Sequence, residues 1–121
     1  MNRGFDDYDL IVTGDLGYLG RDLLIELLKE RKITVREDKL FDCGCHIFDA
    51  RQDAHSGGSG CGCAASMLCA HLLPEVASGR LERILFMATG ALLSPTTTMQ
   101  GESIPGVAHA VVIEHEGGKR R

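Results

Sequence analysis

The chain has 121 residues, 44% apolar and 25% charged, and its net charge of −4 argues against a nucleic-acid-binding surface. This composition predicts a single globular domain over residues 1–121, with residues 115–121 as a flexible tail. No apolar run approaches the ~20 residues that a membrane-spanning helix needs, and the first residues lack the apolar segment of a secretory signal. We therefore expect synthesis in the cytosol and no transmembrane segment.

The first part of the chain predicts a strand, a turn and a helix. Residues 8–13 carry three apolar residues in succession and stop at Gly14, which is typical of a strand covered on both faces. Leucines then recur at helical spacing, which predicts a helix over about residues 19–31. The apolar stripe of that helix is formed by Leu19, Leu23, Leu24, Leu27 and Leu28.

The rest of the chain continues the alternation of strands and helices. The predicted elements are a loop at 34–40, a strand at 43–48, a loop at 49–59, a helix at 61–78, a strand at 83–88, a long loop at 94–106 and a strand at 108–114. Pro74 predicts a kink or a fresh turn in the second helix, and Gly79 suits its carboxyl-terminal cap. Two helical crossovers favour an α/β class with a mostly parallel sheet, flanking helices and an antiparallel last strand.

The most unusual stretch is the Gly-rich loop before the second helix. Six of the eight residues from Ser56 to Cys63 are Gly or Cys. Such a loop directs backbone N–H groups, together with the positive end of a helix dipole, at a bound anion. We predict ligand contacts from His55, Gly58, Ser59, Gly60 and Cys61. The alternatives are a turn that serves only tight helix–sheet packing and a surface histidine.

The five cysteines at positions 43, 45, 61, 63 and 69 are interpreted as thiols, because no export signal accompanies them. Zinc pairs normally use Cys-x₂₋₄-Cys on a turn, whereas the pairs here have a single intervening residue. We therefore predict no metal site, and favour buried structural thiols over metal ligands. Cys61, at a helix amino terminus, is the one thiol for which reactivity is expected if it is exposed.

Several long motifs resemble the stage V sporulation protein AD family. They are Tyr8-Asp-Leu-Ile-Val-Thr-Gly-Asp-Leu-Gly17, Asp42-Cys-Gly44, Gln52-Asp-Ala-His-Ser-Gly-Gly-Ser-Gly-Cys-Gly-Cys63, Leu85-Phe-Met-Ala-Thr-Gly-Ala-Leu-Leu-Ser94 and Gln100-Gly-Glu-Ser-Ile-Pro-Gly-Val-Ala-His-Ala110. The resemblance implies the carboxyl-terminal half of a two-halved thiolase-like fold. It also implies dipicolinic acid binding, with calcium as its counter-ion, in the apparatus that takes dipicolinate up at the spore inner membrane.

One motif of this chain is also similar to a catalytic motif of the thiolase-like superfamily. Thiolases have a Gly-His-Pro-x-Gly-x-Ser-Gly motif before a helix, and His55-Ser-Gly-Gly-Ser-Gly60 is similar to it. Ala54 replaces the first glycine, no proline follows His55, and the spacing from histidine to serine is one residue shorter. The second thiolase cysteine is also missing from residues 102–106. The acid–base pair of thiolysis is incomplete, so an enzymatic role is not favoured.

Three functional hypotheses follow from this resemblance. The first is a noncatalytic, dipicolinate-binding component, peripheral on the spore inner membrane and in contact with other subunits of the dipicolinate channel. The second is an acyltransferase or condensing-enzyme-like domain without resident cofactor. The third is a structural module that docks a separate amino-terminal half, or dimerises, because half of a two-lobed fold exposes the apolar face that normally meets its twin.

Overall fold

One four-stranded sheet organises the chain in a computed structural model, which describes residues 3–60, 62–88, 99–101 and 106–117. The strands are β1 (Leu10–Thr13), β2 (Leu40–Asp42), β3 (Arg83–Ala88) and β4 (His109–Glu114). Their order in the sheet is β2-β1-β3-β4. β1 pairs in parallel with both β2 and β3, and β4 is antiparallel to β3. The predicted α/β class, with its antiparallel last strand, is therefore confirmed, as expected for half of a thiolase-like fold.

In the described residues, three helices flank the sheet. They are α1 (Gly17–Glu30), α2 (Cys43–His46) and α3, which consists of Cys63–Met67, the π-helical Leu68–Leu72 and Leu73–Ala77. Short 3₁₀ turns lie at Phe5–Asp7, Glu37–Lys39 and Ala50–Gln52. The π turn ends at Leu72, two residues before Pro74, whose ring nitrogen has no hydrogen to donate to the preceding turn, so the predicted irregularity is confirmed. Gly79 follows α3 with φ +77°, as a carboxyl-terminal cap requires.

The two faces of the sheet carry separate apolar cores. On one face, Leu72 and Val76 of α3 pack with Val12, Ile84 and Phe86 of the sheet. On the other face, a second cluster joins α1 to the sheet through Tyr8, Ile11, Ile25 and Leu40. Side chains alternate between the faces along each strand, so β1 and β3 contribute to both clusters. In the part of the chain that the structure describes, no helix is long and apolar enough to cross a membrane.

The predicted strand at residues 43–48 is wrong. The second strand is Leu40–Asp42, and the chain turns at once into the helix α2. Asp42 ends the strand by capping this helix, because its carboxylate accepts a hydrogen bond from the backbone N–H of Cys45 at 3.1 Å. The small residues at 43–45 are tolerated in a strand, but in the fold they are buried at a helix start.

The predicted leucine stripe of α1 is helical, but it does not face the core as a whole. Leu19, Leu23 and Leu27 are exposed by 66%, 52% and 55%. The side chain that α1 buries is Ile25, with Leu24 partly buried beside it. A stripe at helical spacing predicts a helix, but it does not identify the surface against which the stripe packs.

His115, which was placed in the expected tail, is attached to the fold. Its backbone N–H donates to the carbonyl oxygen of Glu82 at 2.7 Å, and its ring Nδ1 lies 2.8 Å from the carbonyl oxygen of Val76. Residues 118–121 lie outside the described part of the chain, as does most of the predicted long loop at 94–106.

Candidate functional site

Backbone hydrogen bonds hold the Gly-rich loop against the first turns of α1 and α2, which follow β1 and β2. The N–H of Gly58 donates to the carbonyl of Gly44 at 2.7 Å, and the N–H of Gly57 donates to Ala54 at 2.9 Å. The carbonyl of Ser56 accepts a hydrogen bond from Tyr18 N–H at 2.8 Å, in the first turn of α1. The loop therefore joins α1, α2 and α3 at the carboxyl-terminal end of the parallel strands.

In the first half of this loop, Gly57 and Gly58 pack closely against neighbouring residues. Gly57 has φ +107°, and a Cβ there would overlap the carbonyl oxygen of Gly44. A Cβ on Gly58 would overlap Cγ2 of Ile47, and Gly58 is buried. The N–H of Gly58 is already donated within the chain. These two glycines are therefore needed for tight packing, which was the alternative to ligand binding. A ligand contact by Gly58 stays a prediction.

The second half of the loop is open. Ser59 and Gly60 are exposed, and a Cβ added to Gly60 or Gly62 would have no atom of the described residues within 4 Å, the adjacent residues apart. The N–H of Gly60 donates to the carboxylate of Asp15 at 3.2 Å, and its carbonyl accepts from Cys63 at the start of α3. Cys61 lies outside the described residues. The open half thus combines a helix start with a neighbouring carboxylate.

His55 lies at the entrance of the loop, as the sequence predicted, with its side chain 88% exposed. Its φ is +48°, and that of Asp53 is also +48°, which is an uncommon conformation for residues with a Cβ. The ring Nδ1 of His55 lies 3.9 Å from the carboxylate of Asp53. A cavity of about 190 Å³ opens beside His55, between Tyr18 and Phe48, and its lining does not include Ser59 or Gly60.

A buried carboxylate, Asp42, connects the elements around the site. It is fully buried and accepts four hydrogen bonds: from the Thr13 hydroxyl at 2.6 Å and from the backbone N–H groups of Leu16, Gly17 and Cys45 at 2.9, 3.0 and 3.1 Å. These contacts fix the turn that presents Asp15. Sequence reasoning missed this role, although an aspartate directly after a strand is a common helix cap.

Three thiols are buried under the loop. Burial, reinforced by the charge of Asp42, raises the pKa of Cys43 to about 12 and that of Cys45 to about 11. Burial also raises the pKa of Cys63. These thiols stay protonated at neutral pH and are poor nucleophiles. The prediction of buried thiols is confirmed for these three and is wrong for Cys69, which is exposed.

Carboxylates and histidines do not gather into a metal site in the described portion of the chain. No group of three or more His, Cys, Asp or Glu side chains within residues 3–60, 62–88, 99–101 and 106–117 has the geometry to hold an ion. Of the predicted ligand contacts, the fold places Gly58 to Gly60 on one loop with His55 at its entrance. Gly58 belongs to the packed half of the loop, Ser59 and Gly60 belong to the open half, and His55 lines the cavity.

Comparison with known proteins gives one family and one curated relative. Residues 1–114 match the family model of Stage V sporulation protein AD. The chain is also similar to the stage V sporulation protein AD of Bacillus subtilis (strain 168). The two are 46% identical over 118 residues, which cover 98% of this chain and 35% of the relative. The chain therefore spans about a third of the length of the relative that it matches.

Proposed function

The chain belongs to the stage V sporulation protein AD family, as its motifs predicted, and on this premise we propose that it contributes to dipicolinic acid binding without catalysis. The observation that carries the proposal is the match over 98% of the chain, which includes the whole Gly-rich loop. In this role the chain is a part of the dipicolinate uptake apparatus, peripheral on the spore inner membrane, and it contacts the other subunits there.

The open half of the loop, from Ser59 and Gly60 to the start of α3, is the proposed ligand surface, and the predicted contact by Cys61 lies outside the described residues. Backbone N–H groups at a helix start favour a carboxylate, although that of Gly60 already donates to Asp15. The carboxylate of Asp15 opposes a bare dianion, because like charges a few ångströms apart repel. A calcium ion that accompanies dipicolinate would remove this repulsion. We therefore propose that the calcium complex, rather than the free dianion, is the bound form.

A noncatalytic role is supported by the chemistry of the thiols and of the histidine. Acyl transfer needs an accessible thiolate with a base in hydrogen-bond contact. The raised pKa values of Cys43 and Cys45 leave both thiols protonated at neutral pH. The side chain of His55 extends into solvent, and its nearest ionic partner is Asp53.

The proposed site needs a second wall. The open half of the loop has free space on its outer side, and the cavity beside His55 is small. A drug-sized ligand is normally enclosed over most of its surface. Because the chain spans about a third of its relative, we propose that polypeptide corresponding to the other two-thirds supplies the remaining contacts.

Calorimetry tests this proposal directly. Calcium dipicolinate is titrated into the 121-residue chain, into the intact Bacillus subtilis relative and, in each protein, into a variant with Leu at the position of Gly62. The Cβ that Gly62→Leu adds enters open space, with no described atom outside the neighbouring residues within 4 Å, so we expect binding to weaken by at least about tenfold in the protein that binds. Ala65→Leu, an exposed position further along α3, is the matched control and should leave affinity unchanged.

The outcomes separate the hypotheses. Binding to the intact relative that Gly62→Leu weakens and Ala65→Leu does not would support the proposed surface. Binding that neither variant changes would move the site away from this loop. Acyl transfer from an acyl-coenzyme A by the chain alone would contradict the noncatalytic role.

A further inference from the structure

The outer side of α1 carries a line of exposed leucines. Leu19, Leu23 and Leu27 follow one another at intervals of four residues, so their side chains lie above one another along the helix. All three are more than half exposed. Single exposed leucines are ordinary, but an ordered line on one helix is typical of a surface that another element covers.

Contacts of α1 show on which flank these leucines lie. The Tyr18 hydroxyl donates to the carbonyl of Cys45 at 3.0 Å, directly after β2. The guanidinium of Arg21 donates to the carbonyl of Glu37, and the ammonium of Lys29 lies 3.5 Å from the Glu37 carboxylate, just before β2. These three residues thus mark the flank of α1 that faces β2. At about 100° per residue, Leu19, Leu23 and Leu27 lie about 100°, 140° and 180° around the helix from Tyr18, so their line runs from the solvent side of α1 to the flank towards β3 and β4.

The sheet beside that flank is also apolar and only partly covered. Leu85 and Met87 of β3 pack into the same cluster as Ile25 of α1, so they lie on the α1 face of the sheet. In β4, Val112 is directly opposite Leu85, which places its side chain on this face, and it is 38% exposed. Ala110, opposite Met87, is exposed as well. Within the described residues, α1 is the helix that covers this face, and it covers the β1–β2 side.

We name this surface the α1–β4 groove: one wall is formed by Leu19, Leu23 and Leu27, and the floor by Leu85, Met87 and Val112. Sheets with parallel strands are normally covered by helices on both faces. The other face of β3 has its helix, since Ile84 and Phe86 pack with Leu72 and Val76 of α3. One further helix beside α1 would complete the α1 face.

The groove has an acidic edge. Asp22, Glu26 and Glu30 are exposed and also follow one another at intervals of four, next to the leucines on the solvent side of α1. A second copy of this chain would bring the same acidic edge to the interface and would be repelled. An anionic lipid surface would be repelled for the same reason. A helix with Lys or Arg along one edge would be attracted.

We propose that the α1–β4 groove binds one amphipathic helix, apolar on one stripe and basic along one edge. This helix is supplied by the part of the stage V sporulation protein AD polypeptide that lies outside the matched third. About two-thirds of the Bacillus subtilis relative is outside the match, which is ample chain for such a helix. The proposal rests on family membership and does not depend on dipicolinate binding.

Photo-crosslinking tests it in two settings. Benzoylphenylalanine replaces Leu23 in the 121-residue chain, which is co-expressed with the remaining part of the Bacillus subtilis relative, and it also replaces the aligned residue of the intact relative. Mass spectrometry then identifies the attached peptide. Tyr18, equally exposed on the β2 flank of the same helix, is the matched control position. We expect attachment from position 23, and not from position 18, to one helical peptide that contains Lys or Arg.

Variants measure the contribution of each wall. Leu23→Asp should lower the recovery of the co-expressed complex by at least about tenfold, Glu26→Lys by about threefold, and Leu23→Met should preserve it. Leu23 is exposed, so the thermal midpoint of the isolated chain should change little. In the intact relative, attachment to a peptide within the matched third, to a second copy, or to none would overturn the proposal. Crosslinking in the intact relative tests the proposal even if the separately expressed parts do not assemble.

Discussion

The two halves of the Gly-rich loop share a composition but have different physical roles. Gly57 and Gly58 lie against α2 so closely that a single methyl group would overlap Gly44 or Ile47. Gly60 and Gly62 have empty space where a side chain would be. In the first half glycine is required by the fold. In the second half no neighbouring atom requires glycine, although the φ of +108° at Gly60 favours it, so these positions are available for close approach of a ligand.

The environments of the halves differ accordingly. Below the packed half lie Asp42, which is fully hydrogen-bonded, and the buried thiols of Cys43 and Cys45. Beside the open half lies Asp15, whose carboxylate accepts from Gly60 at the loop surface. A substitution in the first half should therefore change stability, and one in the second half should change binding. This separation can be tested position by position.

The largest effect is expected for Gly57→Ala. The new Cβ would overlap the carbonyl oxygen of Gly44, and φ +107° is a conformation that side-chain-bearing residues rarely adopt. Together the clash and the strain should lower the free energy of unfolding by about 3 kcal/mol. Urea denaturation followed by circular dichroism measures this. A variant as stable as the parent would show that the loop is not held against α2.

The second prediction concerns pH and the thiols below the packed half. Folding raises the pKa of Cys43 from 9.0 to about 12 and that of Cys45 to about 11. The folded chain keeps these protons at a pH where the unfolded chain loses them. The stabilisation is therefore complete below pH 9 and is lost as pH rises from 9 towards 11–12. Each thiol should contribute about 1.4 kcal/mol of lost stability per pH unit in this range.

Urea denaturation at a series of pH values above neutrality measures this slope. Cys43→Ala should reduce it by the contribution of one thiol, whatever its effect on stability at neutral pH. Cys69→Ala, at an exposed position of α3, is the control and should leave the slope as in the parent. Equal slopes in the parent and Cys43→Ala would show that the Cys43 thiol is not protected by the fold.

The comparison also shows what the sequence could predict. Apolar runs predicted β1 and β3, because a strand covered on both faces needs little beyond continuous apolar residues. β4 is also an apolar run, although most of its residues are exposed. The composition of the loop predicted glycines with a special role, but not which of them pack. That distinction depends on contact with Gly44, which is distant in sequence and adjacent in the fold. The exposed flank of α1 has the same origin, since periodicity indicates a helix and not its neighbours.

The wrong prediction of a strand at residues 43–48 has a different cause. Composition favoured an extended segment, whereas a single capping contact from Asp42 starts a helix there. Tertiary hydrogen bonds to Thr13, Leu16 and Gly17 hold that carboxylate in place, and they come from a different strand and helix. Local propensity does not contain this information.

The smallest effects, and the sharpest test of the two halves, come from Gly60→Ala and Gly62→Ala in the open half. Gly60 has φ +108°, so a Cβ is strained, but it would meet no neighbour within 4 Å. Strain without a clash should cost about 1 kcal/mol in the same urea assay, less than Gly57→Ala. Gly62→Ala has neither strain nor clash and should change stability by less than about 0.5 kcal/mol. If Gly60→Ala cost as much as Gly57→Ala, steric contact would not be what separates the halves, because only the backbone conformation is common to both positions.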